Sequence, residues 1–353
     1  MRTQYIKNFP TDSYQKILNH FVTMATTRTP IWAGTIQVGP QQIYVHCHIP
    51  ELAKQIPDWF ISTTQNAPIS PNIPHLYLFD GDKSELLNRP AQCDICQIFC
   101  DTQIVGTPDI IAAHNFTFVQ DKNRMFFMGL KYDINSDIKL VMGENHILMR
   151  HIKHLLENTN TYMFHGAAIG YDNYGVMISG LSGAGKSTLA AQCLTMGLDY
   201  VGDDRIAITK TDNEIIANPI YTTISFKNSA PDFPARFISK NYTKEKNIYR
   251  FNKDFNFRYN LPIRAIISPK KTNNVLPRIV RGNKTDIITH IVIDYSNSAN
   301  IVHSPNPLLD FTKIEKLFEN CDFYDFELGA DISENSKFLY NFITKRMKNV
   351  HQE

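Results

Sequence analysis

The 353-residue chain has no uninterrupted apolar stretch that approaches the length needed to cross a bilayer, and its first residues, MRTQYIKNFPTDSYQ, lack the apolar centre of a secretory signal. A soluble cytoplasmic protein with no membrane partner is expected. Cysteine is scarce: Cys47, Cys93, Cys96, Cys100, Cys193 and Cys321 are too few and too scattered for a disulfide scaffold, so reduced thiols are expected. Net charge is nearly absent too, and a total of +2 selects no class of partner. What the chain does have is apolar mass. With 43% hydrophobic residues it can bury a large core, and its length suits two domains.

Residues 1–140 read as an α+β domain of unknown role, and 141–353 as a second, α/β domain. In the first, Tyr14, Ile17, Leu18, Phe21 and Val22 give Asp12–Met24 a helical stripe. Strands are expected at Ile31–Val38 and Gln42–His48 around the turn Gly39-Pro40, followed by a helix over Pro50–Ile61 that contains Pro57. A proline-rich loop, Asn66–Pro74, leads to a strand at His75–Phe79, and further strands are expected at Cys93–Cys100, Phe116–Gln120 and Met125–Tyr132. Cys93-Asp94-Ile95-Cys96 with Cys100 has the look of a metal motif. Positions three apart on a strand point to opposite faces, however, and no second Cys/His pair completes four ligands, so these are expected to be structural cysteines. His46 and His48 share a strand face, but no third or fourth ligand is recognisable beside them. In the second domain an amphipathic helix at Glu144–Asn158 precedes strands at Tyr162–Ile169 and Gly175–Ser179, joined by the turn Tyr171-Asp172-Asn173-Tyr174.

The organising stretch is Gly180–Thr188, GLSGAGKST, which fits G-x-x-x-x-G-K-[ST]. It lies between the apolar strand Gly175–Ser179 and a helix over Lys186–Met196, the order a phosphate-binding loop requires. Gly180, Gly183 and Gly185 let main-chain amides wrap an anion, and the helix adds its positive N-terminal end. Gly180, Ser182, Gly183, Ala184, Gly185, Lys186, Ser187 and Thr188 are therefore the expected nucleotide-binding residues, with Lys186 on the β- and γ-phosphates and the Ser187 hydroxyl on Mg²⁺. ATP and Mg²⁺ are the expected cofactors. Downstream, the short strand Leu198–Val201 ends in Gly202-Asp203-Asp204-Arg205. A bound triphosphate needs one carboxylate for the metal and a kinase needs a second to orient or deprotonate the attacking hydroxyl; the two adjacent aspartates can supply both.

HGAAIG at 165–170, GVMISGLSGAGKSTLA at 175–190 and YVGDDRIAI at 200–208 resemble the catalytic core of the HPr kinase/phosphorylase family. The loop alone also resembles that of the phosphoenolpyruvate carboxykinases, which share the same distinctive P-loop fold, and a looser similarity runs through 323–343. The resemblance implies a P-loop kinase domain of the HPr kinase/phosphoenolpyruvate carboxykinase type behind the N-terminal α+β domain. It implies a place at the active site for His165, fifteen residues ahead of the loop, the role of general base for Asp203 and a metal role for Asp204. Two features depart from the family pattern: Thr188 stands where an acidic residue is usual, and the downstream glycine-containing signature has no counterpart. The expected activity is thus transfer of the γ-phosphoryl of ATP to a hydroxyl, most simply a serine of a protein or peptide, without a commitment to phosphorolysis or to HPr. A small-molecule acceptor and a nucleotide-sensing ATPase switch are the alternatives.

Charge is unevenly spread. Between Lys227 and Lys284 fourteen basic residues face only Asp232, Glu245 and Asp254, a balance of 14 − 3 = +11. Such a window suits an acidic acceptor better than nucleic acid, for which it lacks a binding motif, and Arg250, Arg258 and Arg264 are the expected docking residues. A homo-oligomer is compatible with all of this.

Overall fold

The computed structural model describes residues 22–64, 73–80, 159–181, 183–212, 214–226, 234–241, 246–297 and 307–350, a few positions between 152 and 156, and four strands between 96 and 131. The expected helix Asp12–Met24 is described only from residue 22, where 22–27 is helical. Most of the helix expected at Glu144–Asn158, the loop at 65–72, Cys93, Cys100 and Ser182 lie outside the described residues. Contacts divide the chain into two units, Met1–Gln37 with Gln42–Asp58 and Ser62–Leu155, and Val38–Gln41 with Trp59–Ile61 and Leu156–Glu353. No helix among the described residues is long and apolar enough to cross a membrane.

The first unit is built on a mixed sheet. Its strands are β1 (Trp32–Val38), β2 (Gln41–Cys47), β3 (Ser62–Thr64), β4 (His75–Asp80), β5 (Cys96–Phe99), β6 (Gln103–Thr107), β7 (Asn115–Gln120) and β8 (Met125–Lys131), in the order β3-β1-β2-β4-β8-β7-β6-β5. Helix α1 (Pro50–Trp59) joins β2 to β3 and accommodates Pro57. Strands β2, β4 and β8 run parallel, and the remaining pairs with a recorded register are antiparallel. His46 of β2 and His48 just beyond it belong to a ring stack. His46 lies flat against Tyr77 with centroids 4.0 Å apart, His48 against Phe79 at 4.6 Å, and His46 Nε2 is 3.1 Å from His75 Nδ1.

The second unit is a three-layer α/β/α arrangement. Its strands are β9 (Thr161–His165), β10 (Ala167–Tyr171), β11 (Tyr174–Ile178), β12 (Asp199–Gly202), β13 (Arg205–Lys210), β14 (Ile215–Pro219), β15 (Thr223–Phe226), β16 (Ala235–Asn241), β17 (Lys246–Phe251), β18 (Leu261–Lys271), β19 (Arg278–Arg281) and β20 (Asp322–Leu328). Its helices are α2 (Lys186–Thr195), α3 (Lys284–Asn297), α4 (Pro307–Leu317) and α5 (Ile332–Val350). The central mixed sheet runs β12-β10-β11-β18-β14-β13-β9, with β20 on β18 and β19 on β20, while β15, β17 and β16 form a separate sheet. Strands β11, β18 and β20 are parallel neighbours. Buried on both sides, β11 sends Val176 and Ile178 to the face covered by Leu189 and Ala190 of α2 and Leu339 and Ile343 of α5. It sends Met177 to the face covered by Ile287, Ile288 and Ile291 of α3 and Ile314 and Leu317 of α4. That two-sided burial is why the strand reads as a continuous apolar run.

One sequence expectation fails here. Tyr162–Ile169 is not a single strand: it breaks at Gly166, where β9 leaves to pair with β13 and β10 pairs with β11 and β12. A Cβ at Gly166 would stand 2.7 Å from the Ile178 carbonyl oxygen, so glycine permits the close approach that makes the bend. The opposing segment breaks at the same level, between β12 and β13, at Asp203 and Asp204. The segments 161–171 and 199–210 are therefore a long antiparallel ribbon, bent at its middle, whose halves occupy opposite ends of the central sheet.

Two outcomes test the packing. Gly175 lies so close to β18 that an added Cβ would stand 2.5 Å from the Pro262 carbonyl oxygen; Gly175→Ala is expected to cost about 2 kcal/mol or more, read as a lower urea midpoint. In the first unit, burial first and then the charges of His75 and His48 push His46 down to about 3. The folded state thus disfavours its charged form, whereas the unfolded chain takes up the proton below its ordinary value of 6.5, so stability falls as pH drops from 6.5 towards 3. Between pH 7 and 4.5 the His46 share of the loss should be about 2–3 kcal/mol, and His46→Phe, which keeps an aromatic ring in the stack, should remove that share from the pH dependence of denaturation.

Candidate functional site

The site forms at the C-terminal end of β11, where a parallel strand hands the chain to α2. Ser179 N–H still donates to the Ile267 carbonyl of β18 at 3.0 Å; the chain then leaves the sheet through Gly180, Gly183 and Gly185, whose φ angles are 154°, 80° and 91°. The last two lie in the left-handed region that favours glycine, and an added Cβ at either would meet nothing within 4 Å. Gly185 caps α2 without any side-chain hydrogen bond, so the first amides of that helix keep their donors for whatever enters the loop. The expected helix is present, with Leu189, Ala190, Ala191 and Cys193 buried. Lys186 is itself buried, and its Nζ donates to the carbonyls of Gly180 at 2.7 Å and Leu181 at 3.2 Å. The cation is held across the mouth of its own loop.

The bent ribbon delivers the remaining groups. Ala167 pairs with Ile178, which puts Gly166 and His165 beside the start of the loop; Arg205 pairs with His165, which puts the two aspartates opposite the same bend. The turn is tied by Gly166 N–H to the Asp204 carbonyl at 3.3 Å and by Arg205 N–H to the Asp203 carbonyl at 2.8 Å, with Asp204 in the left-handed region at φ 65°. Because the aspartates straddle this turn, they have different surroundings. Asp203 is 2% exposed, accepts a hydrogen bond from the Ser187 hydroxyl, and leaves its Oδ2 buried without a hydrogen-bond partner. Asp204 turns towards His165, with Oδ1 3.7 Å from Nε2, and both side chains remain partly open to solvent. The other imidazole nitrogen, Nδ1, lies 3.7 Å from Oδ2 of Asp294 on α3.

Burial dominates the electrostatics of the cluster. It pushes the Asp203 carboxyl up to about 6, with the neighbouring charge of Asp204 adding, against the Ser187 hydrogen bond and the charge of Lys246. It pushes His165 down to about 4, against the pull of Asp204 and together with the cations Arg205, Lys186 and Lys246. Burial also lowers Lys186, which Asp203, Asp294 and Asp204 partly restore, and raises Asp294, which Lys186, Arg205 and His290 partly restore.

Of the residues expected from sequence, Gly180, Gly183, Ala184, Gly185, Lys186, Ser187 and Thr188 sit on the loop and first turn of α2, and Asp203, Asp204 and His165 sit at the bend. Ser182 is outside the described residues. Asp294 was not anticipated; its only sequence signal is a carboxylate three residues beyond Ile291 on the apolar stripe of α3. The three arginines expected to dock an acceptor are committed within the fold. Arg250 is buried, Arg258 donates to the Asp172 carbonyl at 3.1 Å and lies 3.8 Å from Asp199, and Arg264 is bound to Glu214. From that basic window it is Lys246, on β17, whose charge acts on Asp203, His165 and Lys186. No group of three or more His, Cys, Asp or Glu side chains suited to a metal ion occurs among the described residues.

No protein-family model matches the chain, and no curated protein matches it. Solved structures do, 47 chains in all. One is the Hpr(Ser) kinase/phosphatase from Coxiella burnetii, at 15% sequence identity, covering 54% of this chain and 99% of that one with a TM-score of 0.28. The chain thus has a distant structural similarity to an HPr kinase/phosphatase, in an α/β fold with mixed sheets.

The Asp203 environment can be checked directly. Followed by carbon NMR of the carboxylates, Asp203 should titrate near 6, and Ser187→Ala should raise its midpoint further, because the hydroxyl stabilises the charged form. A midpoint near the ordinary aspartate value in the wild-type protein would mean that water reaches this carboxylate.

Proposed function

We propose that the second unit is an ATP-dependent phosphotransferase that moves the γ-phosphoryl group to a hydroxyl, with a serine of a protein or peptide as the acceptor. The observation that carries this is a convergence at one end of the sheet. An open glycine loop, a buried lysine, a hydroxyl–carboxylate pair and a partly exposed His165–Asp204 pair come together at the bend of the ribbon. Nothing packs where a Cβ would stand at Gly183 or Gly185, and α2 begins at Gly185 without a side-chain cap, which suits a loop whose amides hold phosphate. Ser187 and Asp203 offer hard oxygen ligands, one of them a buried carboxylate oxygen without a partner, which fits a magnesium ion completed by phosphate oxygens. Such an ion would neutralise charge on the phosphates.

Within that assignment the protein's own groups divide by exposure. Lys186 would exchange its carbonyl partners for phosphate oxygens without leaving its loop. The expectation from the family resemblance made Asp203 the base and Asp204 the metal residue; the surroundings support placing Asp203 on the metal side and Asp204, beside His165, on the acceptor side. Asp203 is buried against Ser187, where an incoming acceptor has no access, while Asp204 and His165 are the pair that solvent reaches. An approach open at His165 and Asp204 also favours transfer to an acceptor over a sealed nucleotide sensor.

Calorimetric titration with ATP and Mg²⁺ separates these roles. Lys186→Ala is expected to lose tight ATP binding, and Asp203→Asn to lose the magnesium dependence of binding. Asp204→Asn should bind ATP normally yet slow phosphoryl transfer on the order of a hundredfold. Unchanged ATP affinity in Lys186→Ala would remove the nucleotide assignment; normal transfer in Asp204→Asn would return the base role to Asp203. Mass spectrometry of peptides incubated with the protein and ATP identifies the modified hydroxyl.

A further inference from the structure

Helix α3 has a feature that its packing does not require. Ile287, Ile288 and Ile291 are buried in the core against Phe164 and its neighbours, and Tyr295 lies on Phe164 with ring centroids 5.4 Å apart. Phe164 immediately precedes His165, so the contacts that seat α3 also fix it relative to the histidine backbone. On this apolar stripe, between Ile291 and Tyr295, stands Asp294. Its side chain is one-third exposed and reaches towards His165, with Oδ2 3.7 Å from Nδ1. The imidazole thus has a carboxylate facing each nitrogen, Asp294 at Nδ1 and Asp204 at Nε2, and the two come from elements far apart in the chain. The distances exceed a hydrogen bond; such contacts are commonly long before a ligand is bound and tighten in the reacting complex.

We propose that Asp294 is a positioning residue: by accepting the Nδ1–H of His165 it fixes the tautomer and orientation of the ring, leaving the Nε2 lone pair on the open side shared with Asp204, where the acceptor hydroxyl must lose its proton. This rests on the phosphotransferase assignment above. In the step served, the acceptor oxygen forms its bond to the γ-phosphorus, and the bond from that phosphorus to the bridging oxygen breaks, its electron pair leaving with ADP. The hydroxyl proton passes to Nε2. The imidazolium so formed is flanked by two carboxylates, which stabilise its charge, and returns the proton to solvent after product leaves. The competing role for Asp294 is simple charge balance, because Lys186, Arg205 and His290 also act on it electrostatically.

The two roles are distinguished with Asp294→Asn, which keeps the shape, and Asp294→Glu, which keeps the charge. Nitrogen NMR of His165 in the unliganded wild-type protein should show the proton on Nδ1. In Asp294→Asn, whose amide can donate to Nδ1, the proton should move to Nε2, and Asp294→Glu should restore the wild-type pattern. With water standing in for the acceptor, release of phosphate from ATP and Mg²⁺ should fall on the order of a hundredfold in kcat in Asp294→Asn, with KM for ATP and the calorimetric ATP affinity within about twofold of wild type. An unchanged tautomer in Asp294→Asn, or a loss of ATP affinity that accompanies the loss of rate, overturns the proposal in favour of charge balance. Absence of ATP binding in the wild-type protein would instead sink the phosphotransferase assignment, and the tautomer measurement would still decide what Asp294 does to His165.

Discussion

Everything at the candidate site depends on the bend in the ribbon formed by 161–171 and 199–210. A straight ribbon would carry His165 and the two aspartates along one edge of a flat sheet. Bent at Gly166, it pairs its halves with opposite ends of the central sheet and leaves its polar middle beside the end of β11. The bend needs a residue without a Cβ because the Ile178 carbonyl approaches so closely, and it needs the turn at Asp203 and Asp204, where Asp204 takes a left-handed backbone conformation that aspartate tolerates better than most residues. The same turn gives adjacent aspartates opposite exposure. Two carboxylates that look interchangeable in sequence thereby acquire distinct chemistry from one backbone feature.

The parallel pairing of β11 with β18 and β20 is the second constraint. Parallel strands buried on both faces end together, and the space beyond their C-terminal ends is where loops can approach a ligand without competing with the core. The phosphate-like loop leaves the sheet there. A Cβ added at Gly180 would meet Ser268 and Pro269 of β18, whereas one at Gly183 or Gly185 would meet nothing. The first glycine thus lies against the neighbouring strand and the other two do not.

Legibility from sequence followed locality. The loop, β11 and α2 are contiguous, and each announces itself by pattern: a two-sided apolar run, glycines at fixed spacing, then a helical stripe. The break at Gly166 was not legible, because HGAAIG reads as an unbroken apolar strand and the cause of the break is a carbonyl on another strand. Asp294 was hidden for the same kind of reason: only the packing of α3 on β9 gives it a partner. The basic window misled in the opposite direction. Counting charges found a real excess, but a count cannot show that Arg258 meets Asp199, that Arg264 meets Glu214, or that Arg250 is buried. Lys246, unremarkable within that run, is the member whose charge is felt at the site.

The directions of the shifted groups share a logic. Lys186 and His165 are lowered, Asp203 and Asp294 are raised, and in each case burial is the largest cause. Every group is therefore displaced towards its neutral form, and the mutual attractions among the four only partly oppose this. A polyanion brought against Lys186 favours the charged lysine, and a divalent cation beside Asp203 favours its carboxylate, while His165, lowered to about 4, stays neutral and able to accept a proton. Binding would thus favour the charged forms of Lys186 and Asp203 that burial disfavours. Groups already held in place need no large movement to become active; they need only the ligand whose charge complements theirs.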